Sequence, residues 1–116
     1  MGSDARNISA TWLAIGQHMK SAARVWADRV AIEDGPTTLC YSEVHKQALR
    51  AGGALMAHGI KKGDRVGIWA PNIWEWIIAA LGIHYAGGVL VPINTRYKAA
   101  EAAFILRRAE VRLVFA

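Results

Sequence analysis

The side chains in this 116-residue sequence that are equipped for chemistry are four histidines, one cysteine, eleven glycines and a scatter of basic and tryptophan residues. His18, His45 and His58 lack HExxH spacing and neighbouring carboxylates, so they outline no metal site. His84 falls inside an apolar stretch and suits a core or interface position better than a general base. Cys40 stands alone, which excludes an internal disulfide and a CxxC redox or metal site and fits a reducing compartment. It reads as a buried, inert thiol within a strand, because no activating base lies near it in sequence. The glycines at Gly52-Gly53, Gly59, Gly63, Gly67, Gly82 and Gly87-Gly88 spell neither a phosphate loop nor GxGxxG. Their expected role is structural punctuation. Trp69, Trp74 and Trp76 cluster where a strand ends and a helix begins, the place where a parallel sheet keeps its ligand crevice. Lining a ligand crevice and plain packing are both open to them.

Composition bounds what these residues can serve. With 53 % hydrophobic and 20 % charged residues, the chain has the make-up of one α/β-sized domain rather than a disordered tail. Fourteen Lys plus Arg against nine Asp plus Glu give a net charge of +5, which attracts polyanions in general. The cations come as Lys61-Lys62-Arg65, Arg96 with Lys98, and Arg107-Arg108-Arg112, separated by apolar segments and without a base-stacking or helix-turn-helix pattern. They are expected to be solvated helix ends, with no nucleic-acid partner. The first residues contain no apolar signal-peptide region, and Arg6 stands where a myristoylation motif wants Ser or Thr, so a cytoplasmic location is expected. The longest apolar stretch, Ile77 to Val91, is shorter than the ~20 residues of a membrane span and is broken by Gly87-Gly88.

The elements that would position these residues follow from hydrophobic period and punctuation. Trp12, Ile15, Met19, Ala22 and Trp26 recur at steps of three or four and predict a helix over about 10–27, with Ser9 as a plausible cap and residues 1–8 flexible. Val30–Glu33 and Thr38–Tyr41 flank Asp34-Gly35-Pro36-Thr37 and predict a hairpin. Ser42 is placed to cap a second helix over 43–58, with Val44, Ala48, Ala51 and Leu55 inward and Gly59 ending it. Beyond Lys62-Gly63-Asp64 the pattern becomes strand 65–69, helix 73–86 capped by Asn72, strand 89–91, helix 97–109 and strand 112–115. The expected fold class is therefore α/β: an N-terminal helix and β-hairpin followed by a β-α-β-α-β parallel-sheet unit with right-handed crossovers. The apolar strand at Ala116 predicts that the domain is incomplete, with an exposed core face open to homo-oligomerisation or aggregation.

Gly63-Asp64-Arg65-Val66, Asn72 with Glu75-Trp76, Gly87 through Pro92, Asn94 and Arg96, and Glu101 with Leu106 resemble ordered motifs of the AMP-binding, adenylate-forming enzymes. Leu39-Cys40-Tyr41-Ser42-Glu43 is similar to the strand end that precedes them in that family. The resemblance runs from about Trp26 to Ala116. It is greatest to fatty-acid and carboxylic-acid CoA ligases of actinobacterial type, including those that activate steroid-degradation propanoates.

That resemblance implies residues 1–116 of a large N-terminal domain, truncated, from an enzyme using ATP, Mg²⁺ and CoA on a fatty or other carboxylic acid. The family's triphosphate loop, of the form S-G-T-T-G-x-P-K-G, its adenine and ribose motifs and its C-terminal lysine are not in this sequence. The resemblance thus implies no catalytic residues here and a fragment without activity of its own. It also implies that the loop Asn94-Thr95-Arg96 helps seat the CoA nucleotide, with Arg96 on a phosphate and Thr95 donating. The competing reading makes Asn94 and Thr95 caps of the next helix, with Arg96 solvated or paired to Glu101. Two other function classes stay open: a non-catalytic CoA- or nucleotide-binding module, and a partner- or membrane-interacting one.

Overall fold

A computed structural model describes residues 17–116. Residues 17–25 are helical (α1), so the helix expected over 10–27 is seen in its second half. Ser9, Trp12, Ile15 and the flexible start expected for residues 1–8 lie outside the described residues. Ala23 is buried and Met19 packs on the core, but Trp26, expected on the inner face, is 47 % exposed. The chain bends at Trp26 after the helix has ended, so the helical period no longer carries the indole inward. It lies instead beside Tyr41, with ring centroids 6.1 Å apart.

β1 (Val30–Asp34) and β2 (Thr37–Cys40) form the expected antiparallel hairpin, with Asp34 opposite Thr37. Gly35 takes φ +57° at the first turn position and Pro36 must take a negative φ at the second. That is the sign pattern of the type II′ turns that match strand twist. β2 runs straight into α2 (Tyr41–Ala57). Ser42 is therefore not the cap: Cys40, still extended, holds that position, and its N–H donates to Glu43 Oε1 at 3.1 Å. Cys40 is also half-exposed rather than buried, because it ends the strand, and its Sγ lies 3.2 Å from Ser42 Oγ.

Val44, Ala48, Gly52 and Leu55 form the buried stripe of α2. Its end is a Schellman motif: Gly59 at φ +88° donates to Met56 O, and Ile60 N–H reaches Leu55 O at 3.0 Å. Leu55 and Ile60 share one apolar cluster, the contact that usually accompanies this motif.

β3 (Arg65–Ile68), α3 (Trp74–Tyr85), β4 (Val89–Pro92), α4 (Ala99–Arg108) and β5 (Leu113–Phe115) complete the chain. The three strands are parallel in the order β4-β3-β5. Val66 and Ile68, essentially fully buried, meet Ala79, Ala80 and Ile83 of α3 on one face. Gly67 faces the other way, where an added Cβ would lie 3.2 Å from Leu106 of α4. Side-chain alternation along β3 thus puts α3 and α4 on opposite faces of the sheet.

A second cluster joins Ile32 and Leu39 of the hairpin to Val44, Ala48, Ile78 and Leu81. Between the clusters α2 crosses α3 at glycine: a Cβ on Gly82 would stand 2.6 Å from Ala51 Cβ, and one on Gly52 would stand 3.1 Å from Gly82 O. The close packing expected for the Gly52-Gly53 pair therefore belongs to Gly52, since Gly53 faces open space.

Candidate functional site

The carboxyl ends of β3 and β4 lie side by side, with Ile68 opposite Pro92. The ladder runs one step further, Ile93 N–H donating to Ile68 O at 2.9 Å and Trp69 N–H to Phe115 O at 2.8 Å. From there residues 69–73 lead to α3 on one face and residues 93–98 lead to α4 on the other. Two adjacent strands whose exits part to opposite faces leave a crevice at the carboxyl edge of the sheet, the edge where open α/β sheets bind their ligands.

Asn94, Thr95 and Arg96 occupy that position, all three exposed, beyond a buried Ile93 that anchors the loop. Asn94 Oδ1 accepts Arg96 N–H at 2.8 Å, and Asn94 O accepts Tyr97 N–H at 3.1 Å. This Asx-type turn holds the loop's shape by local bonds alone. Neither Asn94 nor Thr95 caps the following helix, because α4 starts at Ala99 with Lys98 as its N-cap residue. Glu101 Oε1 accepts Lys98 N–H at 3.1 Å, and no ion pair joins Arg96 to Glu101 among the described residues. The Arg96 guanidinium and the Lys98 ammonium are exposed at the start of α4, a donor set that suits a phosphate.

On the α3 side an open cleft of about 360 Å³ separates the hairpin from the helix start. Ile32, Ile73, Trp74, Trp76 and Ile77 supply its apolar lining, and Glu33, Asp34 and Asn72 its polar rim. Trp74 and Trp76 thus do line a cavity, while Trp69 is not among its walls. Asn72, expected to cap α3, does not, since the N-cap position is Ile73. The first helical N–H, that of Trp74, goes instead to Asp34 Oδ2 at 2.9 Å. No local signal exists for this bond, because its partners are 40 positions apart.

The structure also pairs two groups that sequence spacing kept apart. His45 Nδ1 lies 2.9 Å from Tyr85 Oη, with the rings edge to face at 5.6 Å. Burial pushes the Tyr85 phenol above its ordinary pKa and the neighbouring His84 imidazole below its own. Among the described residues no three His, Cys, Asp or Glu side chains gather as a metal site would require.

A parallel sheet with α3 on one face and α4 on the other, opening at its carboxyl end onto an Asn-Thr-Arg loop, defines this unit as an α/β type. The family model described as "AMP-binding enzyme" matches residues 19–116, and the chain belongs to that family. A 3-[(3aS,4S,7aS)-7a-methyl-1,5-dioxo-octahydro-1H-inden-4-yl]propanoyl:CoA ligase of Rhodococcus jostii (strain RHA1) is 45 % identical over 92 residues, 79 % of this chain and 18 % of that protein. The N-terminal domain of FACL13 from Mycobacterium tuberculosis superposes with a TM-score of 0.82 at 34 % identity, over 86 % of this chain and 26 % of that one. The anthranilate CoA ligase AuaEII, solved with anthranoyl-AMP, gives a TM-score of 0.81 at 27 % identity, over 85 % and 19 %. The chain therefore spans about a fifth of the length of the curated relative it matches.

Proposed function

We propose that the chain is the N-terminal segment of an ATP-dependent CoA ligase that activates a fatty acid or ring-bearing propanoate. The carrying observation is the 45 % identity over 92 residues to a ligase whose name specifies a fused-ring propanoyl substrate. In the proposed reaction a carboxylate oxygen attacks the α-phosphorus of ATP and pyrophosphate leaves. The CoA thiol then adds to the acyl carbonyl and AMP leaves.

Within this chain the loop Asn94-Thr95-Arg96 at the carboxyl edge of the sheet supports CoA binding. Arg96 offers a planar guanidinium to a phosphate, Thr95 a hydroxyl donor, and Asn94 fixes the turn that presents both. The residues here do not fit the triphosphate and Mg²⁺: there is no loop rich in glycine and hydroxyl side chains, and the positive-φ glycines sit at a hairpin turn, a tight turn and helix ends. On this reading adenylation needs residues outside these 116, and the chain alone is inactive.

Acid-dependent pyrophosphate release, measured on the chain alone and on its reading frame extended through a triphosphate loop, tests the reading. Turnover in the extended protein only is the expected result. A downstream frame without that loop, or turnover by the 116 residues alone, would refute it.

A further inference from the structure

We propose that the amino-terminal end of the parallel sheet is a docking surface for an acidic lipid bilayer. Three helices finish at this end, because each crossover helix runs antiparallel to its strands and α2 ends at the turn feeding β3. Gly63 N–H bonds Gly87 O, Val89 N–H bonds Asp64 O and Arg112 N–H bonds Arg65 O, which ties the three strand entries together at one level.

The surface formed there carries Lys61, Lys62, Arg65, Arg107, Arg108 and Arg112 against two carboxylates, Asp64 and Glu110. Most of the +5 of the whole chain is thus concentrated on one end. Both carboxylates have local tasks: Asp64 accepts Lys61 N–H at 2.8 Å, and Glu110 pairs with Arg65 at 3.2 Å.

Helix ends attract cations for a structural reason, since C-terminal carbonyls carry partial negative charge. Arg65 answers that need, its Nε donating to Ala109 O. The other cations do not: among the described residues the side chains of Lys61, Lys62, Arg107, Arg108 and Arg112 make no ion pair or hydrogen bond. At each of the three helix ends the Schellman bonds already satisfy two of the terminal carbonyls that such side chains would otherwise cap. Five exposed cations are left facing solvent.

A bilayer fits this surface better than a nucleic acid does. Beside the cations stand two exposed aliphatic side chains, Met56 at 55 % and Val89 at 43 %, suited to the headgroup boundary. Single-stranded nucleic acids stack on exposed aromatic platforms, whereas the tyrosine at this end, Tyr85, is half-buried against His45. No helix among the described residues is long and apolar enough to cross a membrane, so the contact is a surface one.

The test is co-sedimentation of the 116-residue chain with phosphatidylcholine vesicles with and without phosphatidylserine. Binding is expected only with phosphatidylserine, falling steeply as salt rises. Each cation should contribute roughly fivefold to partitioning, so Lys61→Glu/Lys62→Glu/Arg108→Glu should lose roughly a hundredfold or more. The charge-matched variant Lys20→Glu/Lys46→Glu/Arg24→Glu, away from this end, should bind within a few-fold of the parent. Far-UV circular dichroism establishes that both variants are folded. Equal binding to both vesicle types, no binding at low salt, equal losses in the two variants, or binding to a single-stranded oligonucleotide in place of vesicles would each overturn the proposal.

Discussion

Asp34 Oδ2 accepts the backbone N–H of Trp74 at 2.9 Å, so the hairpin turn caps a helix 40 residues further along the chain. The bond couples the antiparallel element to the parallel one and forms one wall of the cleft between them. Asp34→Ala should destabilise the chain by about 1 kcal/mol, the usual worth of a cap, while Asp34→Asn keeps an acceptor and loses less. Urea unfolding midpoints of the two variants check this; equal midpoints for parent and Asp34→Ala would mean the bond is replaced by water at no cost.

The α2–α3 crossing makes two glycines of similar sequence context behave oppositely. A Cβ on Gly82 would be forced to 2.6 Å from Ala51 Cβ, so Gly82→Ala should cost roughly 1 to 3 kcal/mol. Gly53 has no atom within 4 Å of such a Cβ, so Gly53→Ala should gain up to about 1 kcal/mol through helix propensity. Thermal melts of the two variants should move in opposite directions.

Glu110 takes φ +54° at the end of α4, where α2 and α3 place Gly59 and Gly87. A side chain in that conformation costs about 1 kcal/mol, and its exposed pair with Arg65 returns less than ~1 kcal/mol. Glu110→Gly should therefore be neutral to slightly stabilising. Glu110→Ala keeps the strain, loses the pair and should be the least stable of the three, an order that denaturant titration reads directly.

Stability should fall at both ends of the pH scale for reasons in one turn of α3. His84 is held below its ordinary 6.5 by burial, so the fold favours the neutral ring; its contribution is present above 6.5 and lost as pH falls below that. Tyr85 is raised above 10.0 by burial, so its contribution is present below 10.0 and lost as pH rises beyond it. His84→Gln should flatten the acid limb of a stability–pH curve and leave the alkaline limb in place.

If Arg96 holds a CoA phosphate, Arg96→Ala in the extended enzyme should raise KM for CoA about tenfold, on the order of 1.4 kcal/mol. Acid-dependent exchange of pyrophosphate into ATP should not change, because that half-reaction precedes CoA. A parallel loss in both halves would instead assign Arg96 to the fold of the loop.

Local chemistry made much of this legible in advance. The type II′ turn follows from Gly35-Pro36, the α2 terminus from Gly59, the α3 terminus from Gly87, and the order of strands and helices from apolar runs between them. Helix starts were less legible, and Ser42, Asn72, Asn94 and Thr95 all mislead in the same way. Each is a residue type that caps well, but capping also needs an extended backbone at that position and free N–H groups ahead. Cys40, Ile73 and Lys98 meet the backbone condition instead.

The sequence by itself determined the family, the α/β class and the location of Asn94-Thr95-Arg96 after a strand, since these depend on residue types at short spacing. Only the tertiary structure decided that β3 lies between β4 and β5, which parts the exits of β3 and β4 to opposite faces and sets that loop beside the crevice between them. It alone brought Asp34 to Trp74, His45 to Tyr85 and five free cations to one end of the sheet. Such pairings depend on which faces of distant elements bury one another, and no periodicity within a single element encodes them.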